Sequence, residues 1–138
     1  MNRFESVTQT MTGFNRMMDF RLVGWEPDLS KTFATITPDM LNSQGIVHGG
    51  VYCAFLDFTC GMAGVYHAEG EEPRTCMTLS LTTNFVASTG TGALHGTGRR
   101  IGGGRSIFYV ESEIRDDENR LLATSLGTFK YTRTKDKT

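Results

Sequence analysis

From residue 77 to 85 the apolar side chains Met77, Leu79, Leu81 and Phe85 alternate with Thr78, Ser80, Thr82 and Asn84. A period of two predicts a long strand with one buried face. Two more strands are predicted over 106–115 and 121–132, separated by Asp116-Asp117-Glu118-Asn119, a polar run suited to a hairpin loop. The segment 91–101 reads as a fourth strand, weakened by its glycines. Upstream the period changes. Phe4, Val7, Met11, Phe14 and Met18 recur at three- and four-residue intervals, which predicts a helix over 4–20. Segments 20–25 and 32–37 then read as two short strands joined through Glu26-Pro27-Asp28. From Gly49 to about Ala68 the pattern is apolar on every side, which predicts a helix buried all round. One helix, two strands, a central apolar helix and four antiparallel strands make an α+β protein, not a βαβ winding.

Composition narrows the class. The chain has 138 residues, and no repeat, low-complexity tract or linker divides it, so residues 1–138 read as one domain, with a helical N-terminal segment over 1–19 and a core over 20–132. Fourteen basic and fifteen acidic residues leave a formal charge of −1, which provides no field for gripping nucleic acid or an anionic membrane. Cys53, Cys60 and Cys76 form no CxxC pair; they read as buried thiols in a reducing compartment. The opening residues MNRFESVTQTMTGF carry no secretory pattern, so the cytoplasm is the expected location. The weakly polar stretch 46–66 contains His48, Asp57 and four glycines and is expected to be a core helix, not a membrane span.

Within that helix Asp57 is the single charged residue between Gly49 and Tyr66. A carboxylate in a dry cleft has its pKa pushed upward and suits general-base or nucleophilic work; a carboxylate satisfied by neighbouring N–H or hydroxyl groups with no chemical role fits the same pattern. Upstream, residues 41–50 form a polar, glycine-containing approach to the helix. Backbone N–H groups at its start are available to an oxygen that gains negative charge.

Asn42, then His48-Gly49-Gly50, then six residues and Asp57 resembles the N-x5-HGG-x6-D arrangement of the PaaI-like hotdog acyl-CoA thioesterases. The resemblance continues through 76–88 and 99–105. It implies a hotdog fold, a curved antiparallel sheet wrapped around a long central helix, and hydrolysis of an acyl-CoA, with aryl or medium-chain acyl groups, to free acid and CoASH. It implies Asp57 as nucleophile or general base, and Gly49 as N–H donor to the thioester oxygen. Asn42 would hold water or substrate, His48 would support the loop, and a Thr78 hydroxyl would stand beside the carboxylate. It also implies CoA contacts near Gly103, Gly104 and Arg105, no cofactor, and homodimers that pair again as tetramers.

The remaining polar residues add little chemistry. Three arginines in Arg99–Arg105 surround a glycine turn that could take phosphate or be a solvated hairpin. His67 is expected to bond the carbonyls at the end of the long helix, and His95 to have no catalytic part. No histidines stand at metal-ligand spacing, so no metal is expected, and no G-x-S-x-G occurs. Two rival functions are a non-catalytic acyl-CoA-binding module and a hotdog enoyl-CoA hydratase or dehydratase. Eight residues separate Gly49 from Asp57, about 12 Å along a helix, so one carbonyl can meet both only if a second copy supplies one of them.

Overall fold

A computed structural model describes residues 2–133. The elements are α1 (Arg3–Thr10), α2 (Gly13–Met17), β1 (Arg21–Glu26), β2 (Leu29–Thr35), a single 3₁₀ turn (Pro38–Met40), α3 (Gly49–Gly64), β3 (Thr75–Phe85), β4 (Ala93–Gly103), β5 (Ile107–Arg115) and β6 (Leu121–Thr132). All six strands form one antiparallel sheet in the order β1-β2-β4-β5-β6-β3. The sheet curls around α3, which touches every strand. This is the α+β hotdog architecture.

The expected 4–20 helix is broken. Met11 and Thr12 are extended and Gly13 takes φ +64°, a left-handed conformation that glycine adopts without steric cost, so the chain leaves α1 and restarts in α2. Phe20, expected at the junction of that helix and the first strand, leads into β1 and is fully buried against Phe55 and Phe58. The second strand, expected over 32–37, starts three residues earlier and ends two earlier, at Leu29–Thr35, because Pro27 and Asp28 alone form the turn, with Asp28 at φ +64°. The glycines of β4 do not weaken it. A Cβ on Gly96 would come within 2.1 Å of Thr32 Oγ1, and one on Gly98 within 2.7 Å of the Thr59 carbonyl. Small residues there let α3 lie directly on the sheet, where Ser30 and Thr32 hydrogen-bond Thr59.

Two apolar clusters hold α3. Tyr52, Phe55, Leu56 and Phe58 pack with Phe20, Leu94, Ile114 and Leu122, and Cys60 and Ala63 pack with Phe108, Val110 and Phe129. At roughly 1.5–3 kcal/mol for each buried large side chain, these contacts are the main restraint on the helix. They occupy only part of its circumference. Val51, Ala54 and Met62 pack at the margin of the first cluster, and with Asp57 and Gly61 they remain partly exposed, which corrects the expectation of a helix buried all round. α3 also ends at Gly64 instead of about Ala68.

The largest departure concerns β3. It pairs with β6 alone and forms one edge of the sheet, and most of its residues are exposed. Its register with β6 slips between Thr78 and Ser80, where Leu79 is an extra, bulged residue. The bulge reverses the alternation. Above it Leu81 joins the core cluster; below it Met77 and Leu79 point outward, 40% and 53% exposed, while Thr78 and Cys76 turn toward α3. The expected single buried face is therefore two half-faces.

Candidate active site

Four positions of α3, one turn apart, meet β3 in sequence. A Cβ on Gly49 would lie 3.3 Å from the Phe85 ring, Cys53 Sγ stands 3.7 Å from Thr83 Oγ1, Asp57 Oδ1 accepts a hydrogen bond from Thr78 Oγ1 at 2.5 Å, and a Cβ on Gly61 would lie 3.6 Å from Cys76 Sγ. Repeating every fourth residue keeps these positions on one stripe. Asp57 is half-exposed on that stripe, so within one chain its cleft is open and not dry. Among the described residues Thr78 is its only hydrogen-bond partner, which leaves Oδ2 unused.

Two thiols border the carboxylate. Burial pushes Cys76 up to about 12, with the Asp57 and Cys60 charges adding to the effect. Burial also raises Cys60, whose thiol donates to Ser112 Oγ at 3.1 Å. Both stay protonated at neutral pH, so neither is a ready nucleophile. Cys60 is buried as expected, but Cys53 and Cys76 are only half-buried.

The start of α3 is built by the loop before it. Asn42 Oδ1 accepts from the Gln44 N–H at 2.9 Å, Asn42 N–H donates to the Ile46 carbonyl at 2.8 Å, and Leu41 bridges Val47. Asn42 is thus the keystone of the turn, with its amide nitrogen left over. His48 is the N-cap: its Nδ1 accepts from the Gly50 N–H at 2.8 Å, so the neutral ring carries its proton on Nε2. The capping leaves the Gly49 N–H without an acceptor among the described residues, at the positive end of a 16-residue helix. Such a group can meet an oxygen that gains negative charge.

The expected residues therefore separate into three places. Asp57 and Thr78 are together; Asn42, His48 and Gly49 sit at the beginning of α3, about 12 Å away along the helix. Gly103, Gly104 and Arg105 form the β4–β5 turn. Thr78, Phe129, Phe108 and Gly103 lie in one row across four strands, which puts this turn about 14 Å from Thr78. Arg105 is exposed and does not reach Asp57. His67 Nδ1 stands 3.4 Å from the Val65 carbonyl, consistent with the expected helix-end role, and His95 pairs with Asp117 at 2.7 Å. No cluster of three metal-ligating side chains occurs among the described residues, and no helix there is long and apolar enough to cross a membrane. Sequence reading missed the Leu79 bulge and the Phe85 ring over Gly49; only the β6 pairing reveals them.

The model of the thioesterase superfamily matches residues 44–123, a span that contains α3, Asp57 and Thr78. The chain belongs to the thioesterase superfamily. Among similar proteins, a Mycobacterium tuberculosis protein designated a candidate esterase, Rv1847, is 32% identical over 101 residues, 70% of each chain. The Haemophilus influenzae thioesterase HI1161 superposes with a TM-score of 0.85 at 20% identity, covering 99% of this chain and 94% of its own. A phenylacetic acid degradation-related protein of Ralstonia eutropha, described as a candidate thioesterase, has a TM-score of 0.76 at 24% identity, covering 94% and 99%. These likenesses agree on the fold, and family membership assigns the chain a hydrolase role on thioester or ester bonds.

Proposed function

We propose that this superfamily member is an acyl-CoA thioesterase in which Asp57 is the catalytic carboxylate and Gly49 of a second copy is the oxyanion donor. The observation that carries the reading is the Asp57 carboxylate, held on one oxygen by Thr78 and unused on the other, on the open face of α3. In the general-base route Asp57 Oδ2 takes a proton from water, and the water oxygen bonds to the thioester carbonyl carbon. The carbonyl oxygen becomes an oxyanion facing the Gly49 N–H. Collapse breaks the C–S bond and releases the carboxylic acid and CoASH, the proton passing to sulfur. In the nucleophilic route Asp57 itself bonds to the carbonyl carbon, the C–S bond breaks and the CoA thiolate takes a proton from solvent to leave as CoASH, and water then hydrolyses the mixed anhydride, releasing the carboxylic acid and regenerating the Asp57 carboxylate. Thr78 fixes the carboxylate in either case.

The dimer in this proposal is supported by the unpaired edge of β3, where Met77, Leu79, Phe85 and Val86 are 40–57% exposed. A bare, apolar edge strand is a template for pairing. A two-fold copy on that edge would continue the sheet and set the α3 helices antiparallel, the Gly49 end of one beside Asp57 of the other. Phosphates of CoA would fall to Gly103, Gly104 and Arg105, whose turn carries an exposed guanidinium.

Free-thiol release from a panel of acyl-CoAs, run beside a hydration assay on enoyl-CoA, tests the function. Thiol release by the wild type, reduced roughly 10²–10⁴-fold in kcat by Asp57→Asn without loss of fold, is the expected result. Hydration without thiol release would select the hydratase, and binding without turnover the sensing module.

A further inference from the structure

On the far side of α3 from Asp57 stands a fully buried hydroxyl, that of Thr59. Two residues along the helix is about 200° around it, so Thr59 faces the sheet almost opposite the half-exposed carboxylate. Two cross-strand pairs receive it, Ser30 beside Gly98 and Thr32 beside Gly96. Each pair sets a buried hydroxyl on β2 next to a missing side chain on β4, so the helix can come close and be bonded where it lies. Ser30 Oγ donates to the Thr59 carbonyl at 2.7 Å, and the Thr32 and Thr59 hydroxyls are 2.7 Å apart. Thr59 gives its own proton to the Phe55 carbonyl at 2.7 Å, which makes Thr32 the donor of the pair.

These bonds restrain a motion that apolar packing resists weakly. Hydrophobic attraction is non-directional, so Phe55 and Leu56 press α3 onto the sheet without strongly opposing a small turn of the helix about its axis. An O–H···O bond, in contrast, tolerates only about 2.5–3.0 Å. Trp25 Nε1 and Tyr131 Oη donate to the Met62 and Gly64 carbonyls and fix the end of α3, whereas the turn that carries Asp57 is tied through Thr59 to strands inside the sheet. The strand that Asp57 must meet, β3, is an edge. The Asp57 oxygens stand one bond farther out along their side chain than the Thr59 hydroxyl does. A turn of the helix that moves the hydroxyl therefore moves the carboxylate at least as far, in the opposite direction.

We infer that Thr59, gripped by Ser30 and Thr32, is a positioning residue of the reaction: it fixes the rotation of α3 and thereby the place of the Asp57 carboxylate relative to Thr78 and the substrate carbonyl. The inference rests on the acyl-CoA thioesterase reading. Exchanging one hydroxyl of the Thr32–Thr59 pair for a methyl creates a carbon–oxygen contact, which needs about 3.3–3.6 Å in place of 2.7 Å. The helix must then shift by roughly 0.6–0.9 Å, enough to take Asp57 out of hydrogen-bond range of Thr78. A misplacement of about 1 Å can cost a catalytic group about 10²-fold in rate.

The test pairs the kinetics of thiol release from an acyl-CoA with crystal structures of the variants. Thr32→Val, on β2 and remote from the carboxylate, should lower kcat roughly 10–100-fold while KM changes less than about 2-fold, and its structure should show Asp57 more than about 3.2 Å from Thr78 Oγ1. Thr32→Ser keeps the hydroxyl and should restore both. Ser30→Ala deletes one donor with little change in volume, so it keeps the test decisive if Thr32→Val does not fold; it should displace Asp57 in the same direction and lower kcat about 3-fold or more. A folded Thr32→Val with wild-type kcat, an Asp57–Thr78 contact left intact, or a loss that Thr32→Ser does not repair would overturn the inference. If the wild type releases no thiol from any acyl-CoA, the thioesterase reading falls, and the place of Asp57 in the variant structures still decides for or against positioning by Thr59.

Discussion

Gly49→Pro removes a single N–H, and the local structure tells why the rest of the helix should survive. Gly49 is the first residue of α3, a position where proline is favoured because its missing N–H has no partner inside the helix. The preceding residue, His48, has φ −60° and ψ 136°, already in the region required before proline. The ring would crowd Phe85, which is 57% exposed and can move. Loss of one oxyanion donor should lower kcat about 10²–10³-fold, near 3–4 kcal/mol of transition-state stabilisation. The spacing turns this variant into a test of architecture. Gly49 and Asp57 are about 12 Å apart on one helix, while a carbonyl must lie within about 3 Å of each, so they serve one reaction only across two chains. When Gly49→Pro and Asp57→Asn subunits are co-expressed, a mixed dimer gathers both lesions in one site and leaves the other intact. With random pairing half the dimers are mixed, and activity should return to about a quarter of wild type, although each parent is nearly inactive. Differently tagged subunits, co-purified and assayed by thiol release, measure it. Mixed dimers no more active than their parents would refute the two-chain site and, with it, the role assigned to Gly49.

Three further outcomes are expected. Thr78→Val, which removes the donor to Asp57, should lower kcat about 10-fold with a smaller change in KM, and Thr78→Ser should restore it; equal loss in both variants would mean the position acts through packing. Thr59→Val should cost roughly 1–3 kcal/mol by leaving Thr32 Oγ1 and its neighbours unsatisfied in the core, and the Thr32→Val/Thr59→Val pair should cost less than the two singles added, as read by urea melts; additive losses would count against a coupled hydroxyl pair. Burial holds the Cys76 thiol well above its ordinary range, so iodoacetamide should label it slowly in the native protein at pH 8.5. Burial is the main cause and the Asp57 charge the second. Asp57→Asn removes a negative neighbour, which lowers the thiol pKa and should speed labelling; an unchanged rate would show that the two groups do not interact.

Much of this protein could be read without coordinates. A run apolar on all sides from Gly49 onward has no stable place except against a sheet, and the N-x5-HGG-x6-D spacing singled out Asn42, His48, Gly49 and Asp57 before any contact was known. β5 and β6 were legible because each lies inside the sheet with one face on α3, so burial enforces their alternation along most of their length, the exception being the register shift at Leu122, where two successive residues are buried. β3 was not, because its period-two pattern presumes an unbroken ladder. One extra residue at Leu79, admitted by its pairing with β6, exchanges the faces below it and turns Thr78, nominally on the polar side, onto Asp57. The 4–20 pattern failed for a related reason: a periodic run shows which residues want to be buried, but Gly13 permits a turn, and the extended Met11 and Thr12 break the helix in two. Sequence alone determined which groups could do chemistry. That Thr78 meets the carboxylate at the middle of α3 and Phe85 covers the glycine at its beginning was decided by tertiary packing, because it depends on which strand lies beside which turn of the helix.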